Sequence, residues 1–197
     1  MASPPSANSN TAPEIDAIPE FTGLSLNDTS SSNNLVSSHD LRQIHSDIRS
    51  TVRPNWKTSP PANFGTCSHG KLKADEWRAC IEFDLPMSLL SLWPIDSSGE
   101  DKVAAIHSTF LLAIAIKHAT APSITPKVIN DYSNTMFAYI ESIRKIRPEI
   151  DLHPIHHNAL HLDSFLHLFG PMHGWWMFPV ERLIGTLQRL NINYKPG

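Results

Sequence analysis

Six histidines, His153, His156, His157, His161, His167 and His173, fall within 21 residues of this chain. Imidazole is the commonest protein ligand for transition metals, so such a density raises a metal site. His157 and His161 are four apart, and on a helix that spacing puts both rings on one face, as a paired helical ligand set needs. A hydrolytic zinc site of the His-Glu-x-x-His kind would place a glutamate general base directly after the first histidine, where Asn158 stands. No cysteine or carboxylate completes a set at familiar spacing, although Asp163 is near. The competing reading has His156 or His157 buried and hydrogen-bonded to backbone, with the others on a solvated face.

Two other segments carry side chains with chemical potential. Gly170-Pro171-Met172-His173-Gly174-Trp175-Trp176-Met177-Phe178-Pro179 is a rigid aromatic connector. Its rings either fold back onto a helical core or offer a stacking platform for an unpaired base or a partner protein. Glu181-Arg182 follows at the start of a helical pattern, where a glutamate complements the helix dipole. Asp75-Glu76 forms a second acidic pair, but adjacent helical residues point in different directions and make poor joint metal ligands.

The elements that must position these groups are helical. Leu41, Ile44, Ile48 and Val52 form one stripe, with Ser38 as N-cap and Pro54 as stop. Residues 54–71 read as a loop pinned to the core by Trp56 and Phe64. A helix is expected from about Lys73, carrying Trp77, Cys80, Ile81 and Asp84 and ending or kinking at Pro86. Residues 86–93 continue through Leu89, Leu90 and Trp93. Ser98, with Asp101 three residues on, opens a helix that is apolar nearly all round, with Val103, Ile106, Phe110, Ile114 and Lys117 on one face. Thr125-Pro126 caps the next helix, with Val128, Tyr132, Met136, Ile140 and Ile143 inward as far as Pro148. Another helix runs from Pro154 to Gly170, and a last one follows Pro179 with Val180, Leu183, Ile184, Leu187 and Leu190 on its buried side. No alternating strand pattern of useful length occurs. The expected fold is all-α, an irregular bundle of six or seven helices over residues 39–197.

Residues 1–38 contain four acids, no Lys or Arg, and scattered apolar residues at no regular period, which reads as a disordered Ser/Asn/Pro-rich tail. The whole chain of 197 residues has a formal net charge of -3, of which that tail supplies -4. A body so close to neutral lacks the basic face of a protein that grips nucleic acid alone, and Arg144-Lys145-Arg147 is explained by a helix C-terminus. Cys67 and Cys80 form no disulfide framework. The absence of a signal-peptide pattern and of a membrane-length apolar run predicts an intracellular protein, nuclear or cytoplasmic.

The phrases HHNALHL, FLHLFGPMHGWWMFPVERLIGTLQR and, upstream, RPNWKTSPPANFGTCSHGKLKADEWRACIEFDLPMSLLSLW resemble the C-terminal block of fungal CACTA (En/Spm-like) transposon proteins. That block is described as a domain of unknown function lying after the catalytic domain, and it continues beyond a phrase such as Asn191 to Gly197, so the chain reads as truncated at its end. The resemblance implies a transposase-derived accessory or interaction module with no catalysis of its own, no cofactor, and a full-length transposase or other protein as partner. It also implies a fixed packing role for at least one of the paired histidines. The alternative is a metal-dependent nuclease component. CACTA transposases belong to the class with an RNase H-like core, in which three carboxylates hold two Mg²⁺ ions. Glu181 matches the position of the last carboxylate, Arg182 would be a phosphate or carboxylate partner, and another chain would complete the site. Zn²⁺ at His157 and His161 belongs to the same alternative. Trp175, Trp176 and Arg182 are the candidates for nucleic-acid or partner binding.

Overall fold

The computed structural model describes residues 35–189 except positions 56, 58, 67–71 and 97. The expectations for the tail before residue 35, for Trp56, Cys67 and Leu190, and for the terminal phrase lie outside the described residues. Among the described residues the structure is helical with no strand, the all-α bundle expected from the sequence.

Helix α1 (Ser38–Ser50) opens on a capping box. Ser37 Oγ accepts from the Asp40 amide at 3.1 Å, and Asp40 Oδ2 accepts from the Ser37 amide at 3.0 Å. The cap is thus Ser37 and not Ser38. Ile44 and Ile48 are buried, but Val52 lies past the C-cap Thr51 and is 96% exposed, so the apolar stripe stops one turn early. Leu35 and Val36 pack on the same core, which places the folded body's start before residue 38.

Helix α2 (Ala74–Ala79) runs through a π-helical turn (Cys80–Asp84) into α3 (Leu85–Leu92), making seven helical rods in all among the described residues. Pro86 was expected to end or kink this helix because its ring crowds the carbonyl four residues back and it has no N–H to give. The helix instead widens just before it. The Leu85 amide bonds Cys80 O, five residues back, and the chain passes Pro86 without stopping. Leu89 and Trp93 are buried as expected, while Leu90 faces outward. Asp84, on the π turn and 4% exposed, takes an ion pair from Arg53. Burial pushes the Asp84 carboxyl above its usual value, with Arg53 pulling against it.

Helix α4 (Glu100–Ala119) belongs to two cores. Its Ile106 joins Ile44, Ile48, Phe64, Cys80, Leu89 and Trp93 in the first. Its Ala115 and Ala119 join Leu166 and residues of α5 (Pro126–Ile146) in the second. A helix buried by different neighbours at its two ends must be apolar on more than one face, which is the pattern the sequence carries. Its N-cap is Gly99 and no side chain caps it, so the Ser98–Asp101 box does not form. Small residues set the approach to α5: Ser108, Ala115 and Ala119 are buried, while Ile114 and Lys117, on the face traced from the sequence, are exposed.

Helix α5 begins as expected, with Pro126 in its first turn and Thr125 Oγ1 accepting from the Val128 amide at 3.3 Å. Ile129, Tyr132, Met136 and Ile140 are buried; Val128 and Ile143 are half-buried. The segment from Pro154 to Gly170 forms two helices and not one, α6 (Pro154–Leu160) and α7 (Leu162–Phe169). Tyr132, 1% exposed, docks at this joint, its hydroxyl donating to Ala159 O at 2.6 Å. Gly170 ends α7 at φ 71°, ψ −151°, a conformation essentially confined to glycine. A short 3₁₀ turn (Met172–Gly174) leads to α8 (Phe178–Arg189).

The largest departure from expectation is α8. Val180, Leu183, Ile184 and Leu187, expected to be buried, are 42%, 58%, 48% and 51% exposed. The amphipathic pattern is real, but Glu181, Arg182, Thr186 and Gln188 are exposed as well, and α8 reaches α2 through Arg182 and Asp75.

Candidate functional site

The start of α2 and the start of α8 enclose a groove of about 580 Å³, lined by Lys73, Asp75, Phe178, Glu181, Arg182 and Thr186 among others. Asp75 of one segment singled out in the sequence and Glu181-Arg182 of the other therefore meet at one place. Arg182 Nη2 lies 3.6 Å from Asp75 Oδ2. Glu76 turns away and caps its own helix, accepting from the Lys73 amide at 2.9 Å. The adjacent cleft, about 270 Å³, is lined by Lys57, Arg78, Glu82, Trp176 and Pro179 among others. Glu82 is held there by Arg78 at 2.6 Å and Lys57 at 3.2 Å.

Trp175 and Trp176 part company. Trp175 packs on the second core and donates from Nε1 to Gly170 O at 3.1 Å. Trp176 lies in the cleft wall, with the Arg78 guanidinium 5.4 Å over its ring and His173 edge-on at 4.1 Å. His173 Nε2 is in turn 3.0 Å from Thr120 O, tying the connector to the end of α4. The fold-back reading thus describes Trp175, and Trp176 is the aromatic that meets the charged cleft.

Chemically the groove holds charges of both signs. Among the described residues its lining includes no His, Ser or Cys, and the Thr186 hydroxyl is engaged with Arg182 O at 2.9 Å. Glu181 and Asp75 contribute two carboxylates, one already paired with Arg182. Among the described residues no three His, Cys, Asp or Glu side chains gather as a metal-binding group, so the set a two-metal centre needs is not supplied by them. Cys80 is fully buried, and desolvation pushes its thiol up to about 12, which removes thiolate chemistry at neutral pH.

The histidine cluster resolves into separate pairs. His157 and His161 come together as their spacing predicts: both are exposed, with Nε2 atoms 3.0 Å apart. His156 is half-buried and serves the start of α6, its Nδ1 accepting from the His153 amide at 3.1 Å. The buried histidine bonded to backbone is a different one, His45, whose Nε2 lies 2.6 Å from Phe64 O. Its position on the inner face of α1 is a signal the sequence offered, masked by the denser cluster downstream. Arg144 and Lys145 occupy the last turn of α5, where they complement the helix dipole. Among the described residues no helix is long and apolar enough to cross a membrane.

A scan against protein-family models, a search of curated proteins and a search of solved structures each return no match.

Proposed function

We propose that the chain is an accessory interaction module of a transposon-derived protein, without catalysis of its own, and that it docks a partner protein on α8. One observation carries this reading: Val180, Leu183, Ile184 and Leu187 form an exposed apolar stripe on a helix tied to its own fold by the Arg182–Asp75 pair. The spacing i, i+3, i+4, i+7 is the anchor set used between an amphipathic helix and a helical or grooved partner. An apolar stripe left in water has no stabilising role in the chain itself, and such patches mark interaction sites. The resemblance to CACTA transposon proteins makes a full-length transposase the first partner to test.

The test is the double substitution Leu183→Asp/Leu187→Asp. Its stability should stay within about 0.5 kcal/mol of wild type per exposed site, and binding to a co-expressed transposase chain should be lost. Destabilisation by several kcal/mol would make the stripe part of the core; unchanged binding would remove it as the interface.

A second reading keeps Glu181 as one carboxylate of a nuclease site completed by another chain. It is favoured by the shared groove of Glu181 and Asp75. It requires Mg²⁺-dependent DNA cleavage that appears only when that chain is added and disappears in Glu181→Gln.

A further inference from the structure

We propose that His157 and His161 form a surface site for a single divalent transition-metal ion, with copper(II) preferred over nickel(II) and zinc(II). The two Nε2 atoms are 3.0 Å apart and both side chains are exposed. An ion at about 2.0–2.1 Å from each imidazole nitrogen would therefore see the pair at an angle of about 90°. That is the cis angle of square-planar or octahedral coordination and is narrower than a tetrahedral angle. Imidazole nitrogens at such an angle suit copper(II) and nickel(II) before zinc(II), in line with the general affinity order of these ions.

The geometry is already in place without the ion. His157 lies in the last turn of α6, and His161 is the joint between α6 and α7 at φ −89°, ψ −3°. The joint is fixed from beneath by Tyr132, whose hydroxyl holds Ala159 O. The rings stand nearly perpendicular, 79° apart, with centroids separated by 4.6 Å. In the apo chain one ring can donate its Nε2 proton to the other. For both Nε2 lone pairs to bind the ion, the donor ring gives up its Nε2 proton and takes one from solvent at Nδ1, so each neutral ring then carries its single proton on Nδ1. Among the described residues no third His, Cys, Asp or Glu joins the pair, so water fills the other positions. The ion then clamps α6 to α7 across their joint. This inference is independent of the α8 interface.

The experiment is calorimetric titration of the full chain with copper(II), nickel(II) and zinc(II) chlorides in a non-coordinating buffer, with electron paramagnetic resonance of the copper complex. The expected result is one tight copper per chain, a spectrum split by two nitrogen ligands, and affinity falling from copper to nickel to zinc. His157→Ala and His161→Ala should each weaken copper by at least about tenfold, the least that even outer-shell changes bring, while His167→Ala changes nothing. These positions are exposed, so the variants keep the wild-type circular dichroism spectrum. Copper bound equally well by His157→Ala/His161→Ala, or zinc bound more tightly than copper at this pair, would overturn the proposal.

Discussion

Breaking the Arg53–Asp84 pair should have a large effect, because it joins the chain after α1 to the π turn on which α2 depends. Asp84 is 4% exposed, and the Arg53 side chain is 13% exposed. Removing one partner of a buried pair leaves an uncompensated charge, at a typical cost of about 3–5 kcal/mol. Arg53 keeps three other acceptors, Ile48 O at 3.2 Å, Ser59 Oγ at 3.1 Å and Thr51 O at 3.5 Å, which places Asp84→Ala near the lower end, about 3 kcal/mol. Arg53→Met/Asp84→Leu replaces both charges by apolar groups and should cost less than either single change, a positive coupling in a double-mutant cycle. The pH dependence follows from the direction of the Asp84 shift. Burial raises its carboxyl more than Arg53 lowers it, so the folded protein binds the proton more tightly than the unfolded chain. Wild type therefore gains on Asp84→Asn as pH falls from the raised value toward the ordinary carboxylate value, and loses that gain as pH rises. Urea denaturation of wild type, Asp84→Ala, Asp84→Asn, Arg53→Met, Asp84→Leu and Arg53→Met/Asp84→Leu at several pH values reads all of this. Asp84→Ala costing less than about 1 kcal/mol, or a double variant as unstable as Asp84→Ala, would refute the reasoning.

Trp175→Ala should destabilise by about 2–4 kcal/mol in urea denaturation, somewhat below a full core tryptophan because the ring is only partly covered; Trp176→Ala should cost clearly less. Equal costs would contradict the different roles assigned to the two rings. Tyr132→Phe should cost about 1–3 kcal/mol, since it leaves the Ala159 carbonyl without its buried donor, and hydrogen exchange should accelerate in α6 first. Asp40 is partly desolvated, which raises its carboxyl, but hydrogen bonds from Ser37 and the charge of Lys102 together hold it below the usual value. Its stabilising contribution is present above the unfolded-chain value, about 4, and is lost as pH falls through the lower folded value. Asp40→Asn should cost about 1 kcal/mol at neutral pH and flatten that acid limb of the stability profile.

Much of this architecture was legible because its determinants are local. Thr125-Pro126 and Gly170-Pro171 mark ends through their own backbone preferences, and His157 and His161 meet because helical spacing alone brings them together. What was not legible depends on neighbours distant in the chain. The buried line of α4 shifts to Ser108, Ala115 and Ala119 because α5 packs against the small residues, a choice that periodicity cannot make for a helix apolar all round. The bond that the Tyr132 hydroxyl makes beside the break at His161 comes from another helix. The groove joins Asp75 and Arg182, far apart in sequence, across its floor of α2 and α8 residues. The pattern of α8 told which of its residues share a face, but not whether this chain or another protein covers it.

That last question is answered most directly by photocross-linking. A benzoylphenylalanine replacing Leu187 in the full chain, expressed in cells and irradiated, should give one discrete adduct with a second protein chain. The adduct should vanish when Leu183→Asp is added and should not form from a probe at Lys127, on the exposed face of α5. No adduct from position 187, or the same products from Lys127, would contradict the assignment of α8 as the docking surface.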